Sequence, residues 1–309
     1  MSETTNISWA TSTGNPWIGC TKVSPGCAHC YAATLDENKF SRTMGGGTKE
    51  KPESHWGKGA PRVRTKAFWT DAVKWDRETA RAEFVNEANS QSYRRPRIFP
   101  SLCDWLDDEV PIEWLADFLK LIHGTPNLDW LLLTKRPENF HRVDQAEDLL
   151  GDEAAEMVHA WATHGRPPEN VWLGVSVEDQ KRADERIPLL LSIPAAVRFL
   201  SVEPLLEGVN LRCALHCDGC GYTPKDKAFM LDHGHCKNPT PIIDWCIIGG
   251  ESGPGRRDCG VDAIVDVANQ CKSAGVACFV KQDVAAKSGQ QGRIPEATWA
   301  LKQFPKHRR

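Results

Sequence analysis

Cys20-Thr-Lys-Val-Ser-Pro-Gly-Cys27-Ala-His-Cys30-Tyr31-Ala32 carries three cysteines within eleven residues, at C-x6-C-x2-C spacing. It follows the apolar pair Trp17-Ile18, and Pro25 and Gly26 bend the chain between the first two thiols. Three thiolates this close can converge on one face of an iron–sulfur cluster, but they close a four-ligand structural zinc site only if a fourth donor comes from elsewhere. A cubane held by three cysteines leaves one iron open to a non-protein ligand, and an open iron can do chemistry. The competing readings of the triplet are a zinc cluster or a disulfide.

Outside the triplet, strands and helices alternate. Short apolar runs stand at Arg97–Pro100, Asp129–Leu133, Asn170–Gly174, Val197–Leu200, Asp244–Ile248 and Val276–Val280. Each hardly alternates in polarity, as a strand buried on both faces should read. Amphipathic stretches lie between most of them, such as Pro111–His123, Gln180–Leu191 and Val261–Ala274, with Gly124 and Gly275 at plausible C-caps. Alternation of this kind predicts parallel strands joined by right-handed crossovers. With a short strand before Cys20 it makes six or seven βα units, an α/β fold in the form of a partial (β/α)6–7 barrel. A helix is predicted from Cys27 to about Phe40, its N-terminal dipole favouring an anionic cluster.

In parallel βα barrels chemistry gathers at the C-terminal strand ends. The residues there are Ser101 and Asp104; Thr134, Lys135 and Arg136; Ser176, Glu178 and Asp179; Ser201 and Glu203; Gly249, Gly250, Glu251 and Ser252; Lys281 and Gln282. Polar groups at the end of every run point to a charged pocket at one mouth. Arg256 and Arg257 stand beside it and can meet an anionic substrate or solvent. No nucleophile elbow and no HExxH motif is present to point to hydrolysis.

The ending Cys27-Ala-His-Cys30-Tyr31-Ala32 resembles the cluster loop of radical S-adenosylmethionine (SAM) enzymes, where the usual spacing is C-x3-C-x2-C, so the x6 gap is a departure. Asn15–Cys20, Leu133–Pro137, Leu173–Glu178, Leu200–Leu205 and Ile248–Gly253 are further similar to a phage- and prophage-associated family with radical SAM features. The resemblance runs over nearly the whole chain and implies the partial barrel. It also implies a [4Fe–4S] cluster on Cys20, Cys27 and Cys30, SAM as cofactor, and a reductant protein such as flavodoxin or ferredoxin. Such a cluster reductively cleaves SAM, and hydrogen is then abstracted from a substrate. Among the candidate SAM contacts, Lys135 or Arg136 suits the carboxylate, and Glu178 or Glu203 the ribose hydroxyls or amine. Asp104 stands where the family's amine-binding segment falls. Ser176 joins this set, and Gly249-Gly250-Glu251 reads as a close backbone approach to adenine or substrate, or as a plain turn.

Residues 213–236 interrupt the rhythm. Cys217-x2-Cys220, followed by His233, His235 and Cys236, has zinc-finger spacing, with Cys213 as an alternative ligand. Four cysteines there (Cys213, Cys217, Cys220, Cys236) can instead hold an auxiliary iron–sulfur cluster. Zn2+ fits the histidines and the knuckle better, and a short insertion poor in apolar residues needs such a staple. The domains are therefore 1–212 with 237–309 as the barrel and 213–236 as the insertion.

Composition narrows the setting. The 309 residues are 40% hydrophobic, with a formal charge of −3 and twelve cysteines. That is ample for one large domain with an appendage. The opening Met1–Ile7 has neither a basic nor an apolar secretory segment, and no run approaches the roughly 18 apolar residues of a membrane span. A soluble, cytoplasmic protein with no membrane partner is expected, its cysteines serving as metal ligands and buried thiols. Cations between Lys49 and Arg97 interleave with Phe68, Trp69, Trp75 and Tyr93, and Lys306–Arg309 adds a basic tail. This pattern can track a nucleic-acid strand, making a nucleic-acid base one candidate substrate; the alternative is a solvated loop whose aromatics cover the barrel. A different class of protein also fits the cysteines: a nucleic-acid-associated zinc protein in which both clusters are structural.

If the two cysteine groups have these separate roles, Cys217→Ala costs zinc content and thermal stability while leaving Fe–S absorbance in place. Metal analysis beside the visible spectrum checks it, and loss of the Fe–S band in that variant would reverse the assignment of the two sites.

Overall fold

A computed structural model describes residues 5–88, 95–215 and 243–305. The chain is mixed α/β, and its strands and helices follow the order β1 (Ser12–Thr13), β2 (Trp17–Ile18), α1 (Tyr31–Asn38), β3 (Val63–Arg64), α2 (Ala67–Ala88), β4 (Arg97–Phe99), α3 (Ile112–His123), β5 (Asp129–Thr134), α4 (His141–Gln145), α5 (Asp152–His164), β6 (Val171–Ser176), α6 (Gln180–Ser192), β7 (Val197–Leu205), α7 (Arg212–Leu215), β8 (Trp245–Gly250), α8 (Val261–Ala274), β9 (Ala277–Gln282) and α9 (Glu296–Trp299). Seven strands form one sheet in the order β1-β4-β5-β6-β7-β8-β9, and β2 pairs antiparallel with β3 in a second. The β1/β4, β4/β5, β7/β8 and β8/β9 pairings are parallel. All of β6 and β8 is buried, which explains their unbroken apolar sequences.

The chain divides into two compact units. The first comprises residues 1–23, 30–172 and 194–196. Its core is aromatic: the buried rings of Phe118 on α3 and Trp130 on β5 meet edge-on at 5.4 Å, and Trp17 on β2 meets Phe118 at 6.0 Å. Phe68 on α2 meets Trp130 at 5.9 Å. Such tilted pairs add to the area they bury. On α3 the buried side chains are Leu115, Ala116, Phe118, Leu119 and Ile122, one stripe of a 3.6-residue repeat. Glu113 lies in its first turn and Lys120 and His123 in its last, as the helix dipole favours.

The second unit comprises residues 24–29, 173–193 and 197–309. Here β7, β8 and β9 run in register Phe199↔Trp245↔Ala277, and α8 buries Ile264, Val267, Ala268 and Cys271. Asp179 caps α6, its carboxylate accepting from the Arg182 amide at 2.8 Å.

Three expectations need correction. Residues 67–88 form a helix where a loop is one reading, because Phe68, Ala72 and Thr79 are spaced to make a buried stripe. The helix expected from Cys27 begins only at Tyr31; Pro25–Cys27 is a single 3-10 turn. The short strand expected before Cys20 is present as Ser12–Thr13, the first of the sheet, while Trp17–Ile18 belongs to the small antiparallel pair. Ladder pairing also continues further than the apolar runs, so Thr134, Ser176, Ser201, Glu203, Gly249, Gly250, Lys281 and Gln282 lie within strands rather than after them.

Gly174 on β6 is held to its identity by packing: a Cβ there would lie 2.4 Å from the Phe199 ring. Gly174→Ala should destabilise the protein by roughly 1–3 kcal/mol, the ordinary cost of overpacking a core. Thermal or urea unfolding checks it, and adding Phe199→Leu should recover part of the loss.

Candidate functional site

The cysteine loop starts at the end of β2, where Gly19 bridges to Cys103 and Cys20 to Trp56. Cys20 Sγ lies 3.6 Å from a guanidinium nitrogen of Arg136, a side chain only 3% exposed. The same nitrogen is 3.0 Å from the Asp104 carboxylate, and the other terminal nitrogen donates to the Thr21 carbonyl at 2.6 Å. Asp104 also accepts from the Thr134 hydroxyl at 2.7 Å, the Lys135 amide at 2.9 Å and the Leu106 amide at 3.1 Å. Its two oxygens thus take four donors. Buried Arg62 donates to Asp107 at 2.8 Å and to the Thr21 hydroxyl at 2.8 Å, and that hydroxyl donates to Glu109 at 2.8 Å. Burial, and secondly the Asp104 charge, push the Cys20 thiol up to about 12. A metal ion binding there has to displace a proton. Cys30 is the N-cap of α1, and the hydroxyl of the next residue, Tyr31, donates to the Ser101 carbonyl at 2.7 Å.

In the second unit the turn Pro25–Cys27 closes with the Cys27 amide donating to the Ser24 carbonyl at 2.9 Å. Two carboxylates grip this segment. Glu178, fully buried just beyond β6, accepts from the Gly26 amide at 3.3 Å and pairs with Arg186 of α6 at 2.8 Å. Arg186 also donates to the Ser176 carbonyl at 2.9 Å. Glu251, just beyond β8 and 4% exposed, accepts from the Arg257 amide at 2.8 Å and from its guanidinium at 3.0 Å and 2.5 Å. His29 Nδ1 lies 3.0 Å from the same carboxylate, and Arg257 reaches on to the Pro25 carbonyl at 3.0 Å. Burial works to raise the Glu251 carboxyl, but the hydrogen bonds from Arg257 and His29 overcome it and hold the group at about 2. Glu203 on β7 pairs with Lys281 on β9 at 3.1 Å. Gly249 makes room for it, since a Cβ there would lie 2.6 Å from the Glu203 carboxylate. The close approach expected of Gly249-Gly250 is therefore met by this chain's own Glu203 and by the Asp283–Val284 segment.

The strand-end residues expected to contact SAM are thus largely engaged with the chain itself. Asp104 and Arg136 bind each other and the Cys20–Thr21 segment, while Glu178 and Glu251 bind the Gly26–His29 segment. Arg186, Arg257 and His29 are the partners that sequence reading missed or left open. His29, inside the cysteine motif, and Arg257, beside the Gly249-Gly250-Glu251 segment, carry a local signal; Arg186 carries none.

Cys20, Cys27, Cys30, Cys103, Cys246, Cys259, Cys271 and Cys278 form no disulfide. Among the described residues no group of three or more His, Cys, Asp or Glu side chains is drawn together to hold a metal. A strand end, a turn and a helix cap of the loop each carry one thiol, with a guanidinium beside the first. Of the second metal site, Cys217, Cys220, His233, His235 and Cys236 lie outside the described residues, and Cys213 falls within α7. In the basic–aromatic segment, Phe68 is buried, and Arg64 lies 4.4 Å over the Trp69 ring while pairing with Asp117 at 2.6 Å. Tyr93, Arg94 and the tail Lys306–Arg309 lie outside the described residues. No helix among the described residues is long and apolar enough to cross a membrane.

A carboxyl held near 2 contributes stability that is present above its unfolded value of about 4.3 and is lost as pH falls through its folded value. Glu251→Gln should therefore be less stable than wild type at pH 6 by about 1–3 kcal/mol. The gap should close between about pH 4.5 and pH 2, in unfolding curves measured across that range. A gap independent of pH would mean that the pair does not hold the carboxyl down.

No curated protein and no solved structure matches the chain. A family model described as Protein of unknown function (DUF5131) matches residues 4–299, and the chain belongs to that family.

Proposed function

We propose that the protein is a radical SAM enzyme with a partial βα-barrel fold, in which Cys20, Cys27 and Cys30 hold a [4Fe–4S] cluster. The observation that carries this reading is the loop itself. It offers three thiols free of disulfides and no fourth, it ends where α1 begins, and charged residues engage it at Cys20–Thr21 and at Pro25–His29. The cluster and SAM, when bound, supply the electron that cleaves the sulfonium and the radical that abstracts hydrogen.

The chain's own residues do the rest. Arg136 sets positive charge beside Cys20 Sγ, which favours the ligating thiolate over the thiol. Asp104 fixes Arg136 and is itself saturated. Among the strand-end residues, Lys135 suits the SAM carboxylate, and Glu203 with its partner Lys281 suits the hydroxyls or amine. The reductant in this reading is a flavodoxin- or ferredoxin-type protein. Burial of Phe68 and the internal pairing of Arg62 and Arg64 remove those residues from a strand-tracking groove, which favours a small substrate over a polynucleotide.

The test is anaerobic reconstitution with iron and sulfide, then SAM and dithionite, with 5′-deoxyadenosine measured. Wild type should turn brown and release it. Cys27→Ala and Cys30→Ala should lose both cluster and product yet stay folded, since only a loop is altered. A protein that binds the cluster and never cleaves SAM overturns the enzymatic reading, and a colourless zinc-only protein would point to the structural-zinc alternative.

A further inference from the structure

We propose that Glu251 is a positioning residue for the cysteine loop, holding the Pro25–Cys27 turn in the pose from which Cys27 ligates. The ligation clause rests on reading the three thiols as cluster ligands. The geometry does not.

The latch has two arms on one carboxylate. Arg257 grips both Glu251 oxygens, at 3.0 Å and 2.5 Å, and its backbone amide adds a third bond at 2.8 Å. The terminal nitrogen that meets Glu251 at 2.5 Å also donates to the carbonyl of Pro25, the first residue of the turn, at 3.0 Å. The second arm is His29 Nδ1 at 3.0 Å, two residues beyond Cys27. Cys27 is thus flanked on both sides by residues tied to Glu251, and it is itself buried, at 9% exposed. A carboxylate that is 4% exposed and four times hydrogen-bonded is costly to disturb and rigid in place. It stands at the end of β8, a strand buried throughout, so the latch is anchored to the sheet and not to another loop. Bonds one shell out from a ligand fix its direction, and their loss typically weakens metal retention about 10–100-fold.

Glu251→Gln keeps the size of the side chain and an acceptor for His29, but its amide nitrogen cannot accept from Arg257. The control is Asp283→Asn, which breaks a comparable pairing of a buried carboxylate with a partly exposed arginine, Asp283–Arg293 at 2.8 Å, in the same unit. Metal-free wild type and both variants are treated with iodoacetamide, and labelling of Cys27 and of buried Cys246 is followed by peptide mass spectrometry. Glu251→Gln should label Cys27 severalfold faster, with Cys246 unchanged, while Asp283→Asn should label like wild type. After reconstitution, Glu251→Gln should retain iron against a chelator about tenfold less well than wild type. Unchanged Cys27 labelling in Glu251→Gln overturns the proposal, as does equal acceleration in Asp283→Asn, which would mean general loosening. A wild type that takes up no iron, with Cys27 labelling still responding to Glu251→Gln, would sink the cluster reading and leave the latch standing.

Discussion

Arg136 is 3% exposed, and a guanidinium that deep must be paired or the fold bears an uncompensated charge. Its partner Asp104 is 6% exposed and meets it at 3.0 Å, so each removes the penalty of the other. Neither residue can be deleted singly without stranding its partner, a loss on the order of 3–5 kcal/mol. What fixes the loop is the donor capacity left over once the pair is made. Arg136 has five N–H donors in a rigid fork, and Asp104 takes one side of it. Of the others, one reaches the Thr21 carbonyl at 2.6 Å and one Cys20 Sγ at 3.6 Å. A structural ion pair is thereby also the support of the first cysteine.

The second unit repeats this arrangement with the roles of acid and base exchanged. Glu178 and Glu251 each follow a strand, each is buried, and each satisfies an arginine from its own neighbourhood, Arg186 and Arg257. The spare lone pair of Glu178 takes the Gly26 amide, while the spare donor of Arg257 goes to Pro25. Lone pairs and donors that the ion pairs do not use are the natural partners for a loop short of regular secondary structure, because buried backbone groups must be bonded somewhere. The loop therefore depends on the ion pairs, and the ion pairs on the strand ends.

Much of this fold was legible in the sequence. β5, β6 and β8 are continuous apolar runs, and α8 matches its expected span of Val261–Ala274. α2 was hidden because its many charges dominate a stripe of only one residue per turn, and the neighbouring glycines suggest a loop. β1 spans two residues, too few for any periodicity to register. At the site, the chemistry of the strand ends was readable and the pairing was not. His29 and Glu251 are 222 positions apart, and nothing local to either tells which partner the fold will bring. Barrels put ligands at strand ends, and there arginines also compete for carboxylate oxygens; Arg186 and Arg257 hold those of Glu178 and Glu251.

Where the loop holds a cluster as proposed, the x6 gap between Cys20 and Cys27 gives these bonds a reason. Compared with the usual x3 of the resembling superfamily it adds three residues to the loop, and the closure entropy of that change is small, roughly 0.5 kcal/mol. Immobilising the added residues costs more, about 1–2 kcal/mol of backbone entropy for each. A short gap can hold its first two cysteines through local geometry alone; a longer one needs bonds from outside the loop to reach the same rigidity. Thr21, Pro25 and Gly26 each receive one, from Arg136, Arg257 and Glu178 respectively. Hydrogen bonds to charged groups contribute about 1.5–3 kcal/mol apiece. Three of them match the entropy of three extra residues, so the longer gap can be as well ordered as the shorter one, provided the strand ends supply the charges.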